Sequence, residues 1–293
     1  SGTAEVGATI TVTVNSVDYV TTATDGTWSV TTGELAAADY AVSVTATDAA
    51  GNVSSAGTQT LVLDTTAPTV AITDDASSTT NGDITFTMTF SEAVDGFAAS
   101  DITVANGTAG TFTQTSNTTY TLVVTPSADT EGNVTVDIAG SIATDAAGND
   151  NTAATQATQA IDTAAPTTPT ITAITTPNSD NTPTITVTAE TGSTVKIYAD
   201  GALLGTASED GSTGTFTLTP SALPDGSYSI TATAQDATGN VSAEATAQIV
   251  EIDAVQAGVP VISSASLTTD TTPTISGTAE VGATITVTVN SVD

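Results

Sequence analysis

A five-residue pattern, Asp-Ala-Ala/Thr-Gly-Asn, occurs at three places in the chain, 48–52, 145–149 and 236–240. Each copy places a carboxylate and a side-chain amide together, and Ca²⁺ binds roughly six to eight oxygen atoms of these kinds. The same residues favour a turn, because Gly accepts a positive φ and Asp or Asn can hydrogen-bond its own backbone. The two interpretations are compatible, since a turn can present its Asp to a cation.

Three further aspartates lie where strand-like sequence ends and a proline follows within a few residues. They are Asp64 in LVLDTTAPTV, Asp162 in AIDTAAPTTP and Asp253 in VEIDAVQAGVP. Small residues and Pro between two strand-like runs are typical of linkers. We therefore interpret these aspartates as marking the ends of successive domains.

Short runs in which apolar and polar residues alternate must position these acids. In ATITVTVN, Ile10, Val12 and Val14 alternate with threonines, which predicts a strand with one buried face. Similar runs occur at 40–48, 83–90, 120–126, 133–139, 182–189 and 227–236. No stretch shows a helical period, and strands at this spacing indicate antiparallel β-sandwiches. The predicted fold class is therefore all-β.

The chain contains one long exact repeat. Its first eighteen residues, SGTAEVGATITVTVNSVD, recur without change at 276–293. This identity sets a period of 275 residues and predicts a tandem array. We expect the chain to be one period plus an eighteen-residue overlap, with its ends as cut points of a longer array.

The linkers and the repeat together predict how one period is divided. Domain A would lack its first strand, which the equivalent of 254–275 in the preceding repeat would supply. Domains A and C are siblings, because TPTISGTAEVGATI at 272–285 aligns with TPTITVTAETGSTV at 182–195. The predicted ranges are domain A at 1–64, domain B at 65–163, domain C at 164–253, and the start of the next copy of domain A at 254–293.

The Asp-Ala-x-Gly-Asn copies, the Asp-Thr-x-Ala-Pro linkers and the Thr-Pro-Thr-Ile opening resemble the bacterial Ig-like repeats of giant secreted adhesins and biofilm-associated surface proteins. The resemblance covers the whole chain. It implies seven-stranded Ig-like β-sandwich domains in tandem, which we expect to be arranged end to end as a rod. It also implies that the repeats are spacers, that many junctions bind calcium, and that ligand recognition lies in other domains.

In an Ig-like sandwich, the alternating strand direction brings the acidic turns of one domain towards the linker of the domain before it. Three or more carboxylates in one small volume repel unless a cation joins them, so we expect structural Ca²⁺ at these junctions. At the start of domain A the predicted ligands are Glu5, Asp25, Asp48 and Asn52. The linker Asp253, or Glu251 beside it, would meet the next copy of this set, including Glu280. At the A–B junction they are Asp64, Glu92, Asp95, Asp145 and Asn149. At the B–C junction they are Asp162, Glu190, Asp210, Asp236 and Asn240.

Composition argues against several classes of function. The net charge is −31, with one basic residue, Lys196, and no histidine. We expect no binding to nucleic acid or to an anionic membrane surface, because one Lys cannot neutralise phosphates. Cysteine is absent, and no run approaches the ~18 apolar residues of a membrane span, so direct insertion is not expected. Without His a serine triad lacks its base, and without Cys there is no thiol nucleophile, so we expect no enzyme.

Three aromatic residues have structural interpretations. Trp28 is predicted to fill the core of domain A. Tyr40 and Tyr228 hold matching positions before a strand and are predicted to be corner tyrosines that hydrogen-bond nearby backbone.

The expected function is that of a structural extender in a long repetitive adhesin or fibre, extracellular and on the bacterial cell surface. Its direct partners would be neighbouring repeats of the same chain, while other regions would contact cell-surface or matrix glycans. Two alternatives stay open: a carbohydrate- or matrix-binding Ig-like module, and a subunit of a non-covalent extracellular filament. Against the filament, residues 1–18 would compete with 276–293 for the same strand positions.

Overall fold

The computed structural model describes residues 1–289, so the last four residues of the repeat at 276–293 lie outside the described residues. Its described residues form β-strands and one short 3-10 turn at Ala99–Asp101, without any α-helix. No helix among them is long and apolar enough to cross a membrane. The chain divides into two compact units, Ser1–Ala164 and the residues from Ala165 onward.

Domain A contains a four-stranded antiparallel sheet and a separate pair of short strands. In β2, Ile10, Val12 and Val14 are buried while the threonines between them are not, as the alternation predicts. The strands are β1 Gly2–Thr3, β2 Thr9–Val14, β3 Val17–Thr22, β4 Thr27–Trp28, β5 Ala38–Thr47 and β6 Gly57–Leu63. The sheet order is β3-β2-β5-β6, and β1 pairs with β4.

Domain B is a sandwich of one four-stranded and one three-stranded sheet. Its strands are β7 Val70–Asp74, β8 Ile84–Phe90, β9 Ile102–Ala105, β10 Gly107–Gln114, β11 Thr119–Pro126, β12 Glu131–Ile138 and β13 Ala157–Asp162. The sheet orders are β10-β11-β8-β7 and β13-β12-β9, and the named strand pairs within them are antiparallel.

Domain C has two four-stranded sheets, and a short strand pair follows it. The strands of domain C are β14 Thr170–Ile171, β15 Ile185–Thr188, β16 Thr194–Ala199, β17 Ala202–Thr206, β18 Ser208–Glu209, β19 Thr215–Leu218, β20 Gly226–Gln235 and β21 Gln248–Ile252. Its sheet orders are β14-β15-β19-β18 and β17-β16-β20-β21. The final pair is β22 Val261–Ile262 with β23 Gly277–Thr278.

Each of the three domain ranges contains its own apolar core. In domain B the buried side chains include Phe86 and Met88 of β8 and Leu122 of β11. In domain C they include Ile185 of β15 and Ile197 of β16. Domain A has a smaller buried set around β2 and Tyr40. The predicted all-β sandwich fold is confirmed, while the domain boundaries given above stay predictions.

Both predicted corner tyrosines hydrogen-bond backbone four residues earlier in the chain. The Tyr40 hydroxyl donates to the carbonyl oxygen of Ala36 at 2.8 Å, and the Tyr228 hydroxyl donates to that of Pro224 at 2.9 Å. The bond of Tyr40 is partly buried, so its loss leaves a carbonyl group without its partner.

We therefore expect Tyr40→Phe to lower the free energy of unfolding of domain A by about 1 kcal/mol. Trp28 is the single tryptophan of the chain and lies in this domain, so its fluorescence during urea unfolding reports on domain A. Tyr19→Phe is the matched control, because Tyr19 packs on the same core. Equal midpoints for the two variants would contradict a stabilising role of the Tyr40 hydroxyl.

Candidate metal centre

The Asp-Ala-x-Gly-Asn segments are hydrogen-bonded turns. In the second copy, Oδ1 of Asp145 accepts the backbone N–H groups of Ala147 at 2.8 Å and Asn149 at 2.9 Å. Oδ2 of Asp145 accepts the side-chain amide of Asn149 at 2.8 Å. Gly148 has a φ of 92°, the left-handed region that the sequence assigns to this glycine.

The other two copies form the same turn. Asp48 accepts the backbone N–H groups of Ala50 and Asn52 and the side-chain amide of Asn52. Asp236 accepts the equivalent three hydrogen bonds from Thr238 and Asn240. The side-chain hydrogen bond from Asn52 is the main reason that the pKa of Asp48 lies below its usual value. The turn interpretation is therefore confirmed for all three copies.

The second turn differs because the linker acid lies beside it. Carboxylate oxygens of Asp64, Glu92 and Asp145 all lie within 4.8 Å of one another. Asp145 is only 5% exposed, and the side-chain amide of Asn149 also donates to the backbone carbonyl of Asp64 at 3.1 Å. We call Asp64, Glu92 and Asp145 the acidic triplet.

Backbone hydrogen bonds hold the linker beside domain B. The carbonyl of Pro68 accepts the N–H of Thr152 at 2.9 Å. Thr69 and Ser91 are joined twice, through the N–H of Ser91 to the carbonyl of Thr69 at 2.9 Å and the N–H of Thr69 to Oγ of Ser91 at 3.0 Å. Glu92 follows Ser91 directly, so these bonds bring the linker to the acid.

The negative charges of the triplet repel one another. Burial raises the pKa of Glu92, and the negative charges of Asp64 and Asp145 raise it further. The pKa of Asp145 is instead lowered, chiefly by the side-chain hydrogen bond from Asn149. Residues 1–164 contain no Lys, Arg or His that could balance these charges. The arrangement favours an external cation with a preference for oxygen ligands, of which Ca²⁺ and Mg²⁺ are examples.

The other two predicted ligands of this junction, Asp95 and Asn149, lie in loops next to the triplet. Asp95 pairs through its backbone with Thr144, at N–O distances of 2.8 and 3.1 Å, but its carboxylate is not a member of the group. Asn149 donates its side-chain NH₂ to the carboxylate of Asp145 and to the backbone carbonyl of Asp64, so it orients both residues.

The predicted acids of domain A share one end of the domain. The N–H of Ala4 donates to the carbonyl of Gly26 at 3.0 Å, which joins the loop of Glu5 to the turn of Asp25. Residue Thr9 of β2 is paired with Thr47 of β5, so the turn of Asp48 and Asn52 lies at the same end. Among residues 1–289, however, the acidic triplet is the one group of three carboxylates within mutual ligand distance.

In domain C, a residue that the sequence analysis missed connects two of the loops that hold predicted ligands. The carboxylate of Glu209 accepts the N–H of Gly192 and that of Gly214, both at 3.1 Å. Glu190 and Asp210 lie in these loops. Glu209 lies in the short strand β18, and nothing in its local sequence signals that its side chain connects two loops.

Asp162, Asp253 and Glu280 each make a hydrogen bond that positions their own loop or linker. Asp162 accepts the N–H of Ala164 at 3.1 Å, but it belongs to a different compact unit from its predicted partners, so the B–C set stays a prediction. The N–H of Asp253 donates to the carbonyl of Asn178 at 3.0 Å. Glu280 accepts the N–H of Gly258 at 3.0 Å, which connects its loop to the linker that follows Asp253.

Comparison with protein families accounts for most of the chain. A family described as bacterial Ig domain matches residues 1–64, and two families described as bacterial Ig-like domain match residues 64–161 and 167–254. This chain belongs to the bacterial Ig-like domain proteins. The predicted family is therefore confirmed. Bacterial Ig-like repeats are typical of structural and adhesion proteins at cell surfaces rather than of enzymes. No curated protein sequence gives a significant match.

Several solved structures resemble these bacterial Ig-like domains at low identity. A tetra-tandem repeat from the extending region of a large adhesion protein is 23% identical over 88% of this chain and 69% of its own, with a TM-score of 0.31. The fibronectin(III)-like modules of Clostridium thermocellum CbhA are 16% identical over 62% and 94%, with a TM-score of 0.30. Invasin, a bacterial integrin-binding protein, is 13% identical over 88% and 54%, with a TM-score of 0.35. TM-scores this low say nothing about function.

Neutralising Glu92 is expected to stabilise the metal-free protein. Its raised pKa means that ionisation of Glu92 costs more in the folded than in the unfolded state, and at neutral pH this cost is present. Glu92→Gln should therefore raise the melting temperature of domain B by a few degrees in the presence of a chelator, measured by calorimetry. Glu34→Gln, which removes an exposed Glu of domain A, controls for the net charge. A fall on Glu92→Gln would contradict the repulsion.

Asp145 is expected to act with the opposite sign. Its lowered pKa contributes stability that is present above the unfolded-state value and is lost as the pH falls through the lower folded-state value. The melting temperature of the wild type should exceed that of Asp145→Asn at neutral pH, and the difference should shrink as the pH falls below 3.8. Calorimetry across this range, with chelator present, measures it. A difference that does not depend on pH would show that shape rather than charge matters at this position.

Proposed function

We propose that this chain is a spacer segment of a long repetitive bacterial cell-surface adhesin or fibre, and that Ca²⁺ at the acidic triplet stiffens the junction between domains A and B. The observation that carries the proposal is the meeting of the linker residue Asp64 with Glu92 and Asp145 of domain B. The three residues belong to two domains, so a cation bound to all of them would restrict the linker.

The repeat supports the spacer role. A stretch of eighteen identical residues recurs after 275 positions, and bacterial Ig-like domains match most of the period between the copies. Repetition adds length without adding a new binding surface, since each unit carries the same kind of fold. The proposed role is to hold a binding region, elsewhere in the protein, away from the cell.

Each residue of the site would have a distinct part in binding the cation. Asp64, Glu92 and Asp145 would supply carboxylate oxygens, and backbone carbonyls or water would complete the roughly six to eight ligands that Ca²⁺ takes. Asn149 would orient the site, because its amide already joins Asp145 to the backbone of Asp64. Bound Ca²⁺ supplies positive charge that turns the repulsion felt by Glu92 into attraction.

The composition fits an exterior that is rich in cations. A chain of net charge −31 repels itself in its compact state unless cations reduce the repulsion, and the charge also favours solubility. The absence of cysteine means that no disulfide stabilises the domains, so cations would take over part of this stabilisation. We place the protein outside the cell, on the bacterial surface, with neighbouring repeats as its direct partners and biofilm as a setting.

An aromatic cluster in domain B gives no support to carbohydrate binding. Phe90, Phe97, Phe112 and Tyr120 contact one another with ring centroids 4.9 to 5.9 Å apart. Three of the four are at most 9% exposed, so the rings pack in the core rather than forming a surface on which sugars could stack. The spacer role is therefore the better supported of the two.

Calcium is expected to raise the melting temperature of domain B on the order of 10 °C at a hundredfold excess over its dissociation constant, from the free energy of ligand linkage and the size of the domain. Asp64→Asn should abolish most of this rise, because it removes one of the three carboxylate charges. The Asn side chain keeps the Oδ1 acceptor for the N–H of Thr66, so the local turn should stay intact. Calorimetry with Ca²⁺ and with chelator measures both.

Two further readings separate a junction site from an unspecific effect. Asp83→Asn, outside the triplet, should keep the calcium response. X-ray scattering should show a narrower distribution of distances with Ca²⁺ than with chelator for the wild type, and no such change for Asp64→Asn. Identical melting and scattering profiles with and without Ca²⁺ would refute the calcium proposal while leaving the spacer role to be judged on the repeat.

A further inference from the structure

One sheet of domain C and one sheet of domain A are built alike. The sheets β17-β16-β20-β21 and β3-β2-β5-β6 correspond strand by strand, and β16 and β2 show the same alternation of buried and accessible residues. The accessible residues form the outer surface of each sheet, on the side away from the core. We name these two surfaces the C face and the A face. Equivalent residues, read from the strand registers, are Lys196 and Thr11, Tyr198 and Thr13, and Leu203 and Asp18.

The C face carries Lys196, the single basic residue of a chain that has 32 acidic ones. Among residues 1–289, the ammonium group of Lys196 forms neither an ion pair nor a hydrogen bond. Its neighbours across the face are Thr206 on β17 and Thr233 on β20, which carry no charge. Glu244 instead accepts the hydroxyl of Thr231 at 2.6 Å. The ammonium group of Lys196 is therefore available to an acid of another molecule.

Exposed apolar side chains lie on both faces. On the C face, Leu203 of β17 is 56% exposed and Ile249 of β21 is 62% exposed. On the A face, Val20 of β3 and Val62 of β6 are each 64% exposed. No large apolar side chain of residues 65–163 is exposed to this extent, so domain B offers no comparable surface. Removing these side chains from water would favour contact between the two faces.

The A face carries an acid at the position where the C face carries an apolar residue. Asp18 is exposed, and its carboxylate accepts the hydroxyl of Thr13 at 2.6 Å, which holds it on this face. Two A faces have no basic residue between them. An A face and a C face, in contrast, bring together Asp18 and Lys196, so charge favours the contact between unlike faces.

The spacing between charged and apolar residues agrees on the two faces. Asp18 and Val20 are two positions apart in β3, which corresponds to about 7 Å along a strand. Lys196 and Leu203 are diagonal neighbours on adjacent strands, because Leu203 lies opposite Tyr198. Such neighbours are also about 7–8 Å apart. Lys196 can therefore meet Asp18 while Leu203 meets Val20.

We propose that the C face of one copy of this chain docks on the A face of a second copy, with Lys196 beside Asp18 and Leu203 against Val20. Four strands of about six residues cover only about 400 Å². A stable interface buries about 800 Å² on each partner, so a single contact of this kind is weak and reversible. Linked contacts between longer arrays would strengthen one another through their effective concentration. The contact does not depend on calcium.

The net charge of −31 does not prevent this contact. At physiological ionic strength, salt screens exposed charges that are more than about 8 Å apart, so most acids of two copies repel each other only weakly. A pair that becomes partly buried in the contact, as Lys196 and Asp18 would, is screened much less. Because the two faces differ, the contact is heterologous and further copies can add in one direction.

Reversal of the two charges tests the pairing of the faces. Sedimentation equilibrium of the full chain, in chelator and at physiological ionic strength, should show association that increases with concentration. Lys196→Glu and Asp18→Lys should each lower the association constant at least about tenfold, because each places like charges together. An equimolar mixture of the two variants should restore it, since the reversed charges again attract. A wild type that stays monomeric, or a mixture no more associated than its components, would overturn the proposal.

Two further variants separate the docking surface from a general effect of charge. Glu34→Lys changes the net charge as Asp18→Lys does, but it lies in the loop between β4 and β5, outside both faces, and should not weaken association. Leu203→Asp introduces the residue that domain A has in this register, so domain C should stay folded, which calorimetry checks. It should lower the association constant at least about tenfold through lost apolar contact. Association of Leu203→Asp equal to that of the wild type would overturn the docking surface.

Discussion

The reversal of direction at every sandwich strand is the constraint on which the other features depend. In domain A the start of β5 lies opposite the end of β6, so the linker leaves from the end opposite to the turn at 48–52. Each acidic turn therefore faces away from its own linker. The acid at the end of one domain consequently reaches the acids at the beginning of the next, as Asp64 reaches Glu92 and Asp145.

Much of this arrangement could be predicted from the sequence. Alternation predicted β2, β5, β8, β11, β12, β15 and β20, because a strand with one buried face needs apolar side chains at every second position. Counting strands predicted that Asp64, Glu92 and Asp145 would meet. The orientation of the Asn149 amide, the position of the Asp95 carboxylate and the bridging role of Glu209 could not be predicted. They depend on side-chain rotamers that are selected by neighbours distant in sequence, and alternation contains no information about them.

The unbalanced charge gives the turns two opposite roles. Within a turn, an Asp that accepts three hydrogen bonds is stabilised as an anion, which is why the pKa of Asp145 is lowered. Between turns, anions placed together are destabilised, which is why the pKa of Glu92 is raised. Hydrogen bonds within each turn thus stabilise its Asp carboxylate, while the repulsion arises only between carboxylates that meet at the junction. A change in cation concentration can therefore alter the junction without disturbing the turns.

The hydrogen bond from Asn149 to the backbone carbonyl of Asp64 also has a mechanical consequence. A pulling force along the chain leaves domain A at the end of β6 and enters the linker at Asp64. At that point the backbone is already attached sideways to the turn of domain B, so part of the tension passes into the sandwich before it reaches β7. The residues between Asp64 and Val70 are thereby shielded from the full load, and the junction would yield only after this lateral attachment breaks.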